Sequence, residues 1–148
     1  MPGKGQHFLR ALLKNHDEFV LDAGDRPIAT AVETAFDSAS RKRGLLGRDG
    51  LPDGAAMIIA PCSAVHTFGM RFAIDVIFAG ADGRVLKVRP SLAPARMAGA
   101  LGAFATIEMA AGAVERTGLK VGDVLVVRKK ETAGTQEPRP ADLPSKTI

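Results

Sequence analysis

The chain has 148 residues, is 46% hydrophobic and 24% charged, and carries a net charge of +4. That length predicts one domain, able to bury roughly two-thirds of the surface its unfolded chain exposes. The balance of residue types excludes collagen, global disorder and a disulfide scaffold. Seven Phe occur without any Tyr or Trp, so a stacking platform built on those two rings is excluded as well.

Residues 1–16 read as a basic N-terminal arm, with Lys4, Arg10 and Lys14 and no acid. The globular body is expected at 17–128. Its apolar runs are short and bounded by turn signals, which favours strands over long helices. Phe19-Val20-Leu21 is the first run, closed by Asp22-Ala23-Gly24-Asp25. Ile28, Thr30, Val32, Thr34 and Phe36 alternate with other residues as one half-buried strand would. Asp37 or Ser38 then caps a short helix ending near Leu46. Met57-Ile58-Ile59 and Ile74–Phe78 read as buried strands, and Asp82-Gly83 as a tight turn into Val85–Val88. The stretch 90–102 is expected to be irregular. Phe104–Met109 predicts a strand and Ala110–Thr117 a helix stopped by Gly118. Val121-Gly122-Asp123 turns into a last strand, Val124–Val127. Residues 129–148 hold three prolines and little to bury, and read as a disordered tail. The expected fold is α+β and mainly β: one compact domain of short strands in a curled sheet or partial barrel, with two short helices.

The lone Cys62 cannot close an internal disulfide, which permits a reducing compartment. No apolar stretch approaches the roughly 20 residues of a membrane span, and the cluster Phe8–Leu13 is too short and interrupted for a secretory signal. A cytoplasmic protein is expected. The basic ends alone give no specific nucleic-acid signal, and no phosphate-binding or dinucleotide-binding glycine loop is present.

Two clusters carry possible chemistry. Arg41-Lys42-Arg43-Gly44-Leu45-Leu46-Gly47-Arg48 places several cations near one turn, suited to a carboxylate or phosphate. Pro61–Asp75 contains Cys62, His66, Thr67, Met70 and Asp75. In an extended chain Cys62 and His66 stand roughly 13 Å apart, beyond a shared metal. Only a helical turn at Pro61 would bring them to one face. No cofactor or metal is expected. Asp75 lies within an apolar run, where a carboxylate needs a partner; Arg71, Arg48 or backbone amides are the options. Glu108 has a similar setting between Ile107 and Met109, although its alternation with Phe104 and Thr106 also suits a wet face.

These motifs resemble the domain of unknown function 192 family. The resemblance rests on Arg41, Gly44, Leu45, Leu46 and Arg48, then Leu51-Pro52, the strand at Met57–Ile59, and Val65-His66-Thr67-Phe68-Gly69-Met70-Arg71-Phe72-Ala73-Ile74-Asp75. It continues through the Asp82-Gly83 turn, Ile107–Gly112 and Val121-Gly122-Asp123. It implies a small β-rich domain with an occasional helix, and no particular activity.

The leading expectation is a non-catalytic binding module. Arg41, Arg48, His66, Thr67, Met70 and Asp75 would form a pocket for a small anionic or polar ligand, or a peptide end. Arginine would supply charge-assisted hydrogen bonds, oriented by Asp75. Two other readings stay open: a hydrolase with His66 as general base and Asp75 as its orienter, and a scaffold contacting a protein partner through its arm or tail.

Overall fold

A computed structural model describes Phe8, Leu9, Leu12 and residues 18–130. The rest of the expected arm at 1–16, and the expected tail beyond Lys130, lie outside the described residues. Of the arm, Leu9 is fully buried, and Phe8 and Leu12 pack against the same core.

The first apolar run forms β1 (Phe19–Ala23), whose five residues are all buried. The Gly24-Asp25 turn folds it back onto β2 (Arg26–Ala29), with Gly24 at φ +60°, a conformation that costs glycine little. On its other side β1 pairs antiparallel with the last strand, β10 (Leu125–Lys129). Buried Asp22 there meets Arg128 in an ion pair.

The alternation from Ile28 to Phe36 is not one strand. The chain breaks at Thr30, and β3 (Ala31–Ala35) leaves for a second sheet, where it runs parallel to β4 (Ala55–Ile59). The amides of Thr30 and Ala31 both donate to the Gly54 carbonyl, at 2.8 and 3.2 Å, and this shared acceptor diverts the chain. A parallel neighbour requires a crossover. It contains α1 (Ser38–Arg43), capped by the Asp37 carboxylate, which accepts from Ser40 N at 2.8 Å. The Ser40 hydroxyl and amide hold the Asp37 carboxyl below its ordinary range. The helix ends at Arg43 rather than near Leu46, because Gly44 takes φ +46° and its amide closes onto Ser40. Leu45 then drops into the core.

The five-stranded sheet has the order β3-β4-β9-β6-β7, with β6 (Ile74–Ala79), β7 (Val85–Leu92) and β9 (Ala105–Ala110). β7 runs past Val88 through Pro90, which an edge strand tolerates. The stretch expected to be irregular thus contains the end of β7. It also contains β8 (Met97–Gly99), which pairs with β5 (Ala64–His66) as a separate two-stranded arm. α2 (Ala113–Thr117) begins later than Ala110, since Ala110 closes β9 and Gly112 makes the turn at φ +95°. Gly118 stops it in a left-handed conformation.

Both faces of the five-stranded sheet are packed over its central strands. Ile58, Ile77 and Ile107 point toward β1, β2 and β10, packing with Leu21, Ile28 and Leu125. Met57, Ile59, Val76 and Phe78 point the other way, toward Leu45, Leu51 and Met70. The fold is mainly β with two short helices, and none of its sheets closes into a barrel. Among the described residues no helix is long and apolar enough to cross a membrane.

Candidate functional site

The second sheet face is not fully roofed. Above it opens a cleft of about 310 Å³. One wall is α1 and the turn after it, with Ser38, Arg41, Lys42, Arg43, Leu45 and Leu46. The opposite wall is Pro61, Cys62 and β5, ending at His66. The floor is Ile59, Met70 and Glu108.

Both walls are fixed by local structure. The Asp37 cap fixes the first turn of α1, and the buried Leu45 anchors its end. The other wall leaves β4 at Ala60-Pro61 and is tied at its base, where Cys62 N donates to Phe104 O at 2.9 Å. Thr106 Oγ1 donates to Cys62 O at 3.1 Å. The Cys62 thiol donates to Ala64 O. His66 is exposed at the rim, its ring 5.4 Å from that of Phe68.

Glu108 lies in the middle of β9, opposite Met57 on one side and Val76 on the other. Directly paired residues share a face, so its carboxyl stands between two buried apolar side chains. Only 4% of its surface is exposed, and the wet-face placement is overturned because buried Met57 and Val76 flank it. Its Oε2 has no hydrogen-bond partner among the described residues. Burial pushes the Glu108 carboxyl up to about 7, with the Arg48 guanidinium partly opposing the rise. Arg41, Lys42 and Arg43, by contrast, form no ion pair among the described residues.

The expected pocket residues separate. Arg41, His66 and Met70 line the cleft together. Arg48 lies in an adjoining groove, where both its terminal nitrogens bond Glu33, at 2.7 and 3.3 Å. Thr67 is fully buried. Its hydroxyl donates to Ala93 O at 2.6 Å and accepts from Arg96 N at 2.9 Å, which fastens the loop before β8. Replacing Thr67 by Val strands both backbone groups and should cost about 1–3 kcal/mol in urea unfolding. Thr67→Ser should recover most of it; equal losses from the two variants would contradict this role.

Asp75 points to the opposite sheet face from Glu108, because it pairs with Met109 while its neighbour Val76 pairs with Glu108. It is fully buried, and its two oxygens accept from Ser91 N and Val114 N, each at 2.8 Å. Of the partners weighed for it, backbone amides are those found. Arg71 pairs with Asp49 at the surface instead. Asp75 therefore neither lines the cleft nor orients His66 or an arginine. Among the described residues no group of three or more His, Cys, Asp and Glu side chains is placed to hold a metal ion.

The architecture defines a class: a small mainly-β domain with a cleft that is cationic at its rim and floored by Ile59, Met70 and Glu108. Residues 19–127 match the model of the DUF192 family, described as Uncharacterized ACR, and the chain belongs to that family. No curated protein matches it. A solved structure of a protein of unknown function from Novosphingobium aromaticivorans DSM 12444 superposes with a TM-score of 0.64 and 26% identity. The match covers 73% of this chain and 82% of that one. A second, described as a putative transcription regulator from Sinorhizobium meliloti 1021, has a TM-score of 0.66 at 21% identity. It covers 74% of this chain and 91% of the other, and its likeness concerns the fold.

Proposed function

We propose that the protein is a non-catalytic binding module whose cleft takes a small anionic ligand. The observation that carries this reading is the cleft's charge arrangement. Arg41, Lys42 and Arg43 stand along one wall without an ion pair among the described residues, opposite His66, above a floor of Ile59, Met70 and Glu108. Unpaired guanidinium and ammonium groups at a concave, partly apolar surface favour an anion through charge-assisted hydrogen bonds. The carboxylate of a peptide end offers the same chemistry and belongs to the same class of ligand. A cytoplasmic location suits the lone Cys62.

The test is a thermal-shift screen against phosphate, small carboxylates and short peptides. An extrinsic dye reports unfolding, since the chain has no Trp or Tyr. A ligand at 100 times its Kd stabilises the native state by about 2.7 kcal/mol, a rise in Tm of several degrees. Arg41→Ala should remove most of that rise while leaving the ligand-free Tm nearly unchanged. A rise that persists undiminished in Arg41→Ala would show that the ligand sits elsewhere.

A further inference from the structure

Resting on that reading of the cleft, we infer that Glu108 is its specificity-determining residue: its buried, unpartnered carboxyl on the floor hydrogen-bonds the carboxylate of a small, partly apolar carboxylic acid. The argument starts from geometry. Glu108 is 4% exposed, lines the cleft, and leaves Oε2 without a partner among the described residues. Buried polar atoms are satisfied as a rule, and an exception at the base of a cleft points to a group supplied from outside. The flanking strands cannot supply it, because β4 presents Met57 and β6 presents Val76 on that face.

The charged and titratable groups facing this floor select the class of ligand. Arg41, Lys42 and Arg43 come from α1, and His66 and Cys62 from the opposite wall. Arg48 acts on Glu108 from the adjoining groove while paired with Glu33. A cationic ligand would meet these cations. Inorganic phosphate would bring up to two negative charges onto a floor where burial already disfavours charge. It would also leave Leu45, Leu46 and Val65 without apolar contact. A carboxylic acid brings a single charge for the rim and a hydrocarbon body for those side chains. An O–H donor facing a carboxylate makes one of the shorter and stronger hydrogen bonds available. Burial pushes the Glu108 carboxyl up to about 7, so most molecules hold the proton at pH 6 and few do at pH 8.

Hexanoate is the probe, titrated calorimetrically into the full chain at pH 6 and pH 8 in buffers of different ionisation enthalpy. Binding should be about tenfold weaker at pH 8, following the neutral fraction of Glu108, with proton uptake on binding at the higher pH. Glu108→Gln keeps a donor and should bind hexanoate equally at both pH values. Glu108→Leu, which has no donor, should bind at least tenfold more weakly at pH 6, with far-UV circular dichroism confirming its fold. Equal wild-type affinity at pH 6 and pH 8 overturns the inference. So does a pH dependence that survives in Glu108→Gln, which would assign it to His66. Tighter binding of butylammonium than of hexanoate overturns it as well. If inorganic phosphate binds in an Arg41-dependent way and hexanoate does not, the inference fails while the anion cleft stands. If neither binds, both fail.

Discussion

Replacing Asp75 by Ala should lower the unfolding free energy by about 4 kcal/mol. The fully buried carboxylate accepts one amide from Ser91 and one from Val114, each at 2.8 Å. These groups belong to separate parts of the chain, the end of β7 and the first turn of α2. α2 has no side-chain cap of its own, since Gly112 occupies that position. Asp75 reaches across from β6 to supply the missing acceptor, and it also holds Ser91 at φ +49°. Deleting the carboxylate leaves two amides unpaired, and each such group costs about 1–3 kcal/mol. Asp75→Asn retains one acceptor and should lose about half as much. Urea unfolding followed by far-UV circular dichroism measures both. A loss below about 1 kcal/mol in Asp75→Ala would mean that Asp75 does not clamp these segments.

The second large effect belongs to Glu108 and depends on pH. Its carboxyl titrates near 4.5 in the unfolded chain and is pushed up to about 7 in the fold by burial. Below pH 4.5 both states hold the proton. Between 4.5 and 7 the unfolded chain has released it and the native state has not, so stability falls as pH rises. Above 7 both have lost it and the curve is flat. The drop across the window is about 3 kcal/mol. Asp37 and Asp123 shift the other way, downward, through their hydrogen bonds. Their stabilisation is present above the ordinary carboxylate range and is lost only in acid below this window. Glu108→Gln should therefore flatten the profile between pH 5 and pH 7 and exceed the wild type above pH 7. Unfolding curves at half-unit pH steps decide this, and a variant that keeps the wild-type slope would remove Glu108 as the cause.

Much of the fold is legible in residue pattern. The strands at Phe19, Met57, Ile74 and Phe104 announce themselves as short apolar runs, and Asp37 and Gly118 mark helix ends by their own chemistry. What is not legible is pairing. Nothing local at Thr30 says that the Gly54 carbonyl, 24 residues on, will divide one alternating stretch between two sheets. The Pro90–Gly102 stretch hides β8 because its three residues become a strand only against β5. The site divides in the same way. Arg41, His66 and Met70 stand in motifs that are visible in the sequence and meet in the cleft. Asp75 is conspicuous for the right reason, a carboxylate among apolar residues, yet its partners are amides and its face is the other one. Glu108 shares that signal. It turns out to be buried because β4 and β6 flank it, a fact of topology that alternation along one strand cannot carry.

The two walls of the cleft differ in what holds them. The α1 wall adjoins the edge of the five-stranded sheet through β3 and is anchored by Leu45. The β5–β8 wall is a ladder of three residue pairs outside that sheet, tied at one end by Cys62 and at the other by Thr67. Two-stranded ladders of this length have little stability of their own, so the arm depends on those ties and on Lys87, whose ammonium donates to Gly99 O at 2.7 Å. The cleft thus resembles a vice with one jaw built into the sheet and one pinned to it. On the proposed reading, a ligand's position against the cations and Glu108 would be set by the sheet-borne jaw, and its width by the pinned one. Discrimination would then be sharper for the polar head than for the bulk of the body behind it.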